Sequence, residues 1–234
     1  MSSIAGLQAV ILAGGLGTRL HPVVSDRPKV LAPVGDRPFL TYLFDQLVEA
    51  GISQVTLCIG HLGEQIFQTF GDAYQSLQLS YSWETELLGT GGGLRLALPQ
   101  LTASTILVMN GDSFCQVDLE QFWQWHQQIQ AHASLLLTHV PDTSRYGRVE
   151  LTPDHQISRF QEKDQQAGPG WINAGIYLVG RSLLATIPPA QVISLESQIF
   201  PQWVGHGLYG YCNHGQFLDI GTPESYRLAA QLFS

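Results

Sequence analysis

Charge is scarce in this chain. Only 13% of its 234 residues are Asp, Glu, Lys or Arg, and acids outnumber bases 19 to 11 for a formal net charge of −8. No cluster of Lys or Arg breaks that deficit, so the counterion-displacing stripe of a nucleic-acid surface is missing and no nucleic-acid partner is expected. Cysteine is rarer still. Cys58, Cys115 and Cys212 form an odd set at spacings that suit neither a zinc site nor a redox pair, so buried free thiols in a reducing compartment are expected. No apolar run reaches bilayer length, and the opening MSSIAGLQAVILAGGLGTR lacks a basic n-region and a cleavage signal. Neither a membrane partner nor export is expected, and the reading is a cytoplasmic protein. The eight histidines lack ligand spacing, so His61, His126 and His139 read as surface or satisfied polar groups. A Gly-Lys dipeptide is also absent, which excludes the G-x-x-x-x-G-K-[ST] phosphate loop.

What is present is a hydrophobic content of 44% and 24 glycines, the balance of a loop-rich globular enzyme. A chain of this length buries roughly 70% of its unfolded surface and needs no covalent staples. Short apolar runs alternate with helical patterns through the first half. AVILA, QVTLCI, LSYSW, TILVMNGD and ASLLLTHV read as strands. FLTYLFDQLVEAG sets Leu40, Leu43, Phe44, Leu47 and Val48 on one helical face and closes at Gly51. LGEQIFQTFG turns Ile66, Phe67 and Phe70 inward, GGGLRLAL opens a third helix, and LEQFWQWHQQIQ is a fourth. In that helix Trp123 and Trp125 lie two apart, so one at most is expected to face the core, leaving the other for a partner surface such as a homodimer. This alternation predicts an α/β fold with a mostly parallel sheet and helices on both faces. After Pro141 the strands shorten (GRVEL, QISRF, WINAGIYLV, GLYGYC), which predicts a smaller mixed α+β lobe and a terminal helix from Pro223 to Leu232. With no linker or repeat, residues 1–234 read as one domain with lobes of about 1–140 and 141–234.

The ligand of such a sheet lies beyond the carboxyl ends of its strands, where the glycine loop and the NGD stretch both fall. The loop fails the dinucleotide fingerprint, because Leu20 stands where G-x-G-x-x-G needs its third glycine and Pro22 forbids an early helix. What remains is a turn of bare amides at Gly14, Gly15, Gly17 and Thr18. Arg19 can fork onto phosphate oxygens there and Lys29 adds a point charge. That is a polyphosphate cradle of a third kind.

LAGGLGTRL, followed by RPKVLAPV, LGTGGGLRLAL, MNGDSF, YGRVEL, FQEK, WINAGIYLV and FLDIGTPESY, resembles the sugar-phosphate nucleotidyltransferases in order along nearly the whole chain. VVSDRPKVLAPV, PFLTYL and DIGTPESY resemble most the heptose 1-phosphate guanylyltransferases of that family. The resemblance implies a Rossmann-like three-layer α/β/α fold of the nucleotide-diphospho-sugar transferase type. It also implies transfer of a nucleotidyl group from a nucleoside triphosphate, GTP first, to a sugar 1-phosphate, D-glycero-α-D-manno-heptose 1-phosphate first. Pyrophosphate leaves. A uridylyl- or thymidylyltransferase acting on another sugar phosphate, and a non-catalytic regulatory subunit that binds the nucleotide sugar, stay open beside it. By resemblance Ala13, Gly14, Gly15, Gly17 and Thr18 hold the nucleotide, Arg19 neutralises pyrophosphate, and Lys29 sits where the two substrates converge. Leu88, Gly89, Thr90 and Gly91 lie against the base. Tyr146, Gly147, Glu162, Lys163, Asn173 and Gly175 form the sugar-phosphate side. Asp112 and Asp219 hold Mg²⁺, whose preference for hard oxygen donors two carboxylates and phosphate oxygens meet.

Overall fold

The apolar run that ends at the glycine loop forms a central strand of a ten-stranded sheet. The computed structural model describes residues 3–20, 22–161 and 168–232. Its strands are β1 (Gln8–Leu12), β2 (Pro33–Val34), β3 (Arg37–Pro38), β4 (Gln54–Ile59), β5 (Ala73–Tyr74), β6 (Leu77–Trp83), β7 (Thr105–Asn110), β8 (Ser113–Cys115), β9 (Ala133–Val140), β10 (Arg148–Leu151), β11 (Ile157–Gln161), β12 (Gly170–Gly180), β13 (Leu208–Asn213) and β14 (Phe217–Asp219). Its helices are α1 (Leu40–Glu49), α2 (Gly63–Phe70), α3 (Gly89–Ala97), α4 (Leu119–Gln128), α5 (Arg181–Leu184), α6 (Phe200–Trp203) and α7 (Pro223–Leu232). The strands and helices read from the sequence all appear, most within one or two residues of their expected ends.

The heart of the sheet is parallel, with β7, β1, β4 and β6 side by side. Side chains alternate across it, as the two-residue period of a strand requires. Ile11, Leu57 and Met109 meet α1, α2 and α4 on one face, while Val10, Cys58 and Val108 meet α3, α5 and α6 on the other. Strands β10 to β13, after Pro141, are hydrogen-bonded into this same sheet rather than laid over it. β12 runs antiparallel to β7 through Ile176–Gly180 and pairs with β10 through Trp171 and Ile172. Its other side takes β9, to which β13 adds a parallel edge.

Two irregularities position the site. The register of β12 against β9 slips between Asn173 and Tyr177, and Gly175 takes a φ of +80° in the slip. A Cβ on Gly175 would stand 2.4 Å from Ser113 Oγ, so only glycine lets this bulge close on the end of β7. Separately, β14 pairs antiparallel with β8, Asp219 opposite Ser113, and the Ile220 amide donates to the Asp112 carbonyl at 2.9 Å. Two acids more than a hundred residues apart in sequence thus reach one place.

Some details differ from expectation. On α2, Ile66 is fully buried but Phe67 is 42% exposed, packed edge-on against Tyr81 and Trp83 rather than turned inward. On α4 both tryptophans are covered: Trp123 is buried and stacks on His126, and Trp125 packs against Phe122, Tyr211 and His155. Both thus pack against the body of the protein, where one at most was expected to, Trp123 buried and Trp125 partly buried. Cys58 and Cys115 are buried free thiols as expected, and Cys212 is half-buried and free. Among the described residues no helix is long and apolar enough to cross a membrane.

His126 is buried, with Nδ1 2.8 Å from Ser134 Oγ, and burial lowers its pKa from 6.5 to about 4. The folded protein thus resists a proton that the unfolded chain accepts. The stabilisation is complete above pH 6.5 and is lost as pH falls toward 4, by roughly 3 kcal/mol. Urea unfolding between pH 7 and pH 4 should show a decline that shrinks by about that amount in His126→Gln.

Candidate active site

The glycine loop follows β1 and is anchored at its far end by Leu20, which is buried with Val24 and Ala32. That packing explains why this position is leucine. Between Ala13 and Leu20 the amides of Gly14, Gly15, Gly17 and Thr18 donate to no other described residue. Arg19 makes no ion pair among the described residues. Such amides beside an uncommitted guanidinium form a concavity for anionic oxygens.

Lys29 opens a 3₁₀ turn, Lys29–Leu31, whose Val30 and Leu31 are buried. Its side chain is 12% exposed and reaches Asp112, with Nζ 2.6 Å from Oδ2. Asp112 follows β7 directly, at the carboxyl end of the parallel strands where the fold places ligands. On the other acid, Oδ1 of Asp219 accepts from the Gly221 amide at 2.8 Å and Ser225 Oγ at 3.0 Å, and Oδ2 accepts from Tyr146 at 2.5 Å. Burial, then the neighbouring Asp219, raises the Tyr146 pKa, so the phenol stays a donor.

Two cavities meet at these groups. The larger, of about 600 Å³, is lined by Ala13, Gly14, Gly15, Gly17, Thr18, Arg19, Lys29, Gly89, Thr90 and Asp112, all of them expected from the sequence. The smaller, of about 340 Å³, is lined by Tyr146, Asn173, Gly175 and Asp219. Arg19, Asn110, Asp112 and Gly221 border both. Their volumes suit small-molecule ligands side by side. Glu162 and Lys163 lie outside the described residues. Gly147 lines neither cavity.

The base-side loop works differently from the expectation of open amides at Gly89 to Gly91. The Gly91 amide donates to the Ile193 carbonyl at 2.8 Å, and Leu88 donates its amide to Glu84 Oε2 at 3.1 Å. Neither Leu88 nor Gly91 lines a cavity, while Gly89 and Thr90 do. The glycines admit a strap from the second half of the chain. A Cβ on Gly92 would lie 2.4 Å from the Gln191 carbonyl oxygen, and one on Gly91 would lie 2.9 Å from the Ile193 side chain. The strap then carries Val192, 71% exposed, to the wall of the larger cavity.

Three further polar residues line the site that motif reading passed over. Glu84, just past β6, fills the space beside Gly14 and Gly93, where a Cβ on either would stand 2.8 or 2.4 Å from Oε1. Burial raises its pKa against the opposing Leu88 hydrogen bond, and no cation pairs with it among the described residues. Glu196 accepts from Thr90 Oγ1 at 2.8 Å, Ser194 Oγ at 3.1 Å and the Tyr177 hydroxyl at 3.4 Å. Tyr177 in turn accepts from Asn173 at 2.8 Å, so a hydrogen-bonded chain links the two cavities. Asn110 keeps a buried Oδ1 without a partner among the described residues. Glu84 was legible as a carboxylate directly after the quoted LSYSW strand, but its burial was not, and Glu196 lies far from every quoted motif.

An anion cradle, two acids and a pair of adjoining cavities thus meet at the carboxyl edge of a parallel sheet, where α/β folds take their ligands. Residues 8–233 match the nucleotidyl transferase family, and the chain belongs to it. It is 36% identical over 224 residues to the D-glycero-alpha-D-manno-heptose 1-phosphate guanylyltransferase of Aneurinibacillus thermoaerophilus, covering 95% of this chain and 96% of that one. Identity to the mannose-1-phosphate guanylyltransferase of Mycobacterium tuberculosis is 34%, over 94% of this chain and 62% of that protein. The fold superposes with a TM-score of 0.86 on HddC from Yersinia pseudotuberculosis complexed with GMP-PN, at 30% identity over 97% of this chain and 100% of that one.

Gly92→Ala forces the strap off α3. It should lower stability by about 1–3 kcal/mol in urea unfolding and weaken nucleotide binding in calorimetry. Gly15→Ala, which meets nothing within 4 Å, should leave stability within about 0.5 kcal/mol.

Proposed function

We propose that the protein transfers a guanylyl group from GTP to a sugar 1-phosphate, D-glycero-α-D-manno-heptose 1-phosphate first, releasing pyrophosphate and a GDP-sugar. The observation that carries this reading is the Lys29–Asp112 pair at the seam between the two cavities. A sugar phosphate oxygen is already an anion and needs no general base. It attacks the α-phosphorus, the new P–O bond forms as the bond to pyrophosphate breaks, and the negative charge passes to the leaving group. Lys29 sits where the α-phosphate and the incoming phosphate converge, Arg19 meets the departing pyrophosphate, and the loop amides hold the oxygens in line. Catalysis is alignment and charge neutralisation.

The base is assigned by chemistry. Guanine presents two adjacent donors, N1–H and the 2-amino group, and a carboxylate accepts such a pair through both oxygens. Glu84, desolvated and without a cation, suits that pair, whereas adenine and the pyrimidines offer no equivalent. The relatives named above that carry guanylyltransferase names support the same nucleotide.

Asp112 and Asp219 fit Mg²⁺. Both border the sugar-side cavity, and Asp112 Oδ1 has no partner among the described residues. No group of three or more His, Cys, Asp or Glu able to hold a metal exists among the described residues, so phosphate oxygens and water would supply the remaining ligands of a bound ion. When bound, Mg²⁺ supplies charge neutralisation at the reacting phosphates.

Purified protein with Mg²⁺, GTP and the heptose 1-phosphate should release pyrophosphate, and no turnover with any pairing of nucleoside triphosphate and sugar 1-phosphate overturns the reading. Asp112→Asn should lower kcat by roughly 10²-fold or more while GTP affinity changes by about threefold at most. Glu84→Gln should lower kcat/KM for GTP by roughly 10- to 100-fold and narrow the preference over UTP and dTTP.

A further inference from the structure

A sugar 1-phosphate brings its own dianionic phosphate into the smaller cavity, and the described cations are unevenly available to meet it. Lys29 is committed to Asp112. Arg19 sits in the glycine loop and borders both cavities, so it is shared with the triphosphate side. Arg145, immediately before Tyr146, lines the sugar-side cavity alone.

Its present contacts do not account for it. Nη2 lies 3.4 Å from Asp219 Oδ2 and 3.2 Å from Thr222 Oγ1, both long against the 2.7–2.9 Å of a charge-assisted bond. Asp219 does not depend on it, because one oxygen already takes the Gly221 amide and Ser225 hydroxyl and the other takes the Tyr146 phenol at 2.5 Å. Both contacts use the same nitrogen, so Nε and Nη1 hold no partner among the described residues. Meanwhile the backbone beneath it is tightly held. Asp142 accepts from the Ser144 amide and hydroxyl, each at 2.9 Å, and the Tyr146 amide donates to the Thr143 carbonyl at 2.9 Å. Thr143 is fully buried, and the guanidinium rides 5.5 Å above the Tyr146 ring centre. A fixed base with a loosely parked, exposed fork at the mouth of the sugar-side cavity is the arrangement of a ligand clamp rather than of a structural brace.

We propose that Arg145 binds the phosphate of the incoming sugar 1-phosphate, leaving Asp219 and Thr222 to fork onto its non-bridging oxygens. The proposal rests on the functional reading above only in taking a sugar 1-phosphate as the acceptor, and it is indifferent to the base. The fork orients the phosphate beside the Lys29–Asp112 seam, so its loss costs acceptor binding first.

The test is a pair of variants, Arg145→Gln and Arg145→Lys, with three readouts. KM is measured separately for sugar 1-phosphate and nucleotide. Mn²⁺ affinity is read by electron paramagnetic resonance. Binding of mannose 1-phosphate, the heptose 1-phosphate and unphosphorylated mannose is followed by calorimetry without nucleotide. Arg145→Gln should raise KM for the sugar phosphate by roughly 10- to 100-fold and weaken its calorimetric binding in parallel. Nucleotide KM and Mn²⁺ affinity should stay within about twofold, and Arg145→Lys should fall between wild type and Gln. An unchanged sugar-phosphate KM overturns the proposal. So does a fall in Mn²⁺ and nucleotide affinity equal to the fall for sugar phosphate, which marks a brace on Asp219. A wild-type protein that binds no sugar 1-phosphate sinks both readings. Turnover of another nucleotide with a sugar phosphate sinks only the guanylyl assignment and leaves the Arg145 comparison to run unchanged.

Discussion

The site depends on one contact between opposite charges. Lys29 and Asp112 are 83 residues apart, yet the largely covered lysine side chain meets the carboxylate at 2.6 Å. A lysine this desolvated needs its partner, because a buried lone cation is costly. The pair therefore fixes the 3₁₀ turn after the glycine loop to the end of β7, and with it the distance between the two cavities. It also sets a balance at rest. In the proposed reaction an arriving phosphate would compete for an ammonium that the protein already satisfies, while the Arg19 guanidinium and the loop amides, which hold no partner among the described residues, would meet no such competition. Under that proposal, attraction of the polyphosphate and its final placement would fall to different groups.

Glycine's contribution here is mainly close approach. Around the base-side loop the missing Cβ atoms let a carbonyl strap from residues 191–193 press onto the start of α3, and the amide of Gly91 is spent on that strap. At Gly175 the same property lets a bulge in β12 close on Ser113. The two sides of the site are thus shaped by backbone against backbone, and the polar chain Thr90–Glu196–Tyr177–Asn173 runs between them.

Much of this was legible in the chain itself. The buried strands, the inward stripe of α1 and the order of the motifs all announce themselves through period and composition, and the loop glycines, Arg19, Lys29, Asp112 and Asp219 do gather at one place. What escaped was whatever only tertiary contact decides. Phe67 sits at a helical position that reads as inward, but Tyr81 and Trp83 on the sheet edge give it a place outside. Gly91 reads as an open amide because its acceptor lies 102 residues downstream. Glu84, Glu196 and Arg145 look like ordinary surface charges until the fold shows two of them half-buried on a cavity wall and the third loosely held. The second lobe, read as a separate layer, shares the sheet, and Val192, Glu196 and Gly221 complete the wall of the nucleotide-side cavity.

That last feature bears on how the protein is made. Chains leave the ribosome N-terminus first, at roughly 5–20 residues per second. The glycine loop, Lys29 and the parallel core are thus synthesised well before Val192, Glu196 and Gly221, which close the cavity they line. Until those residues emerge, the nascent chain carries an open trough with its cations and amides facing water. The sheet face that takes α5 and α6 is likewise covered by residues as late as Leu184, Phe200 and Trp203, so that side of the apolar core also closes only after they emerge.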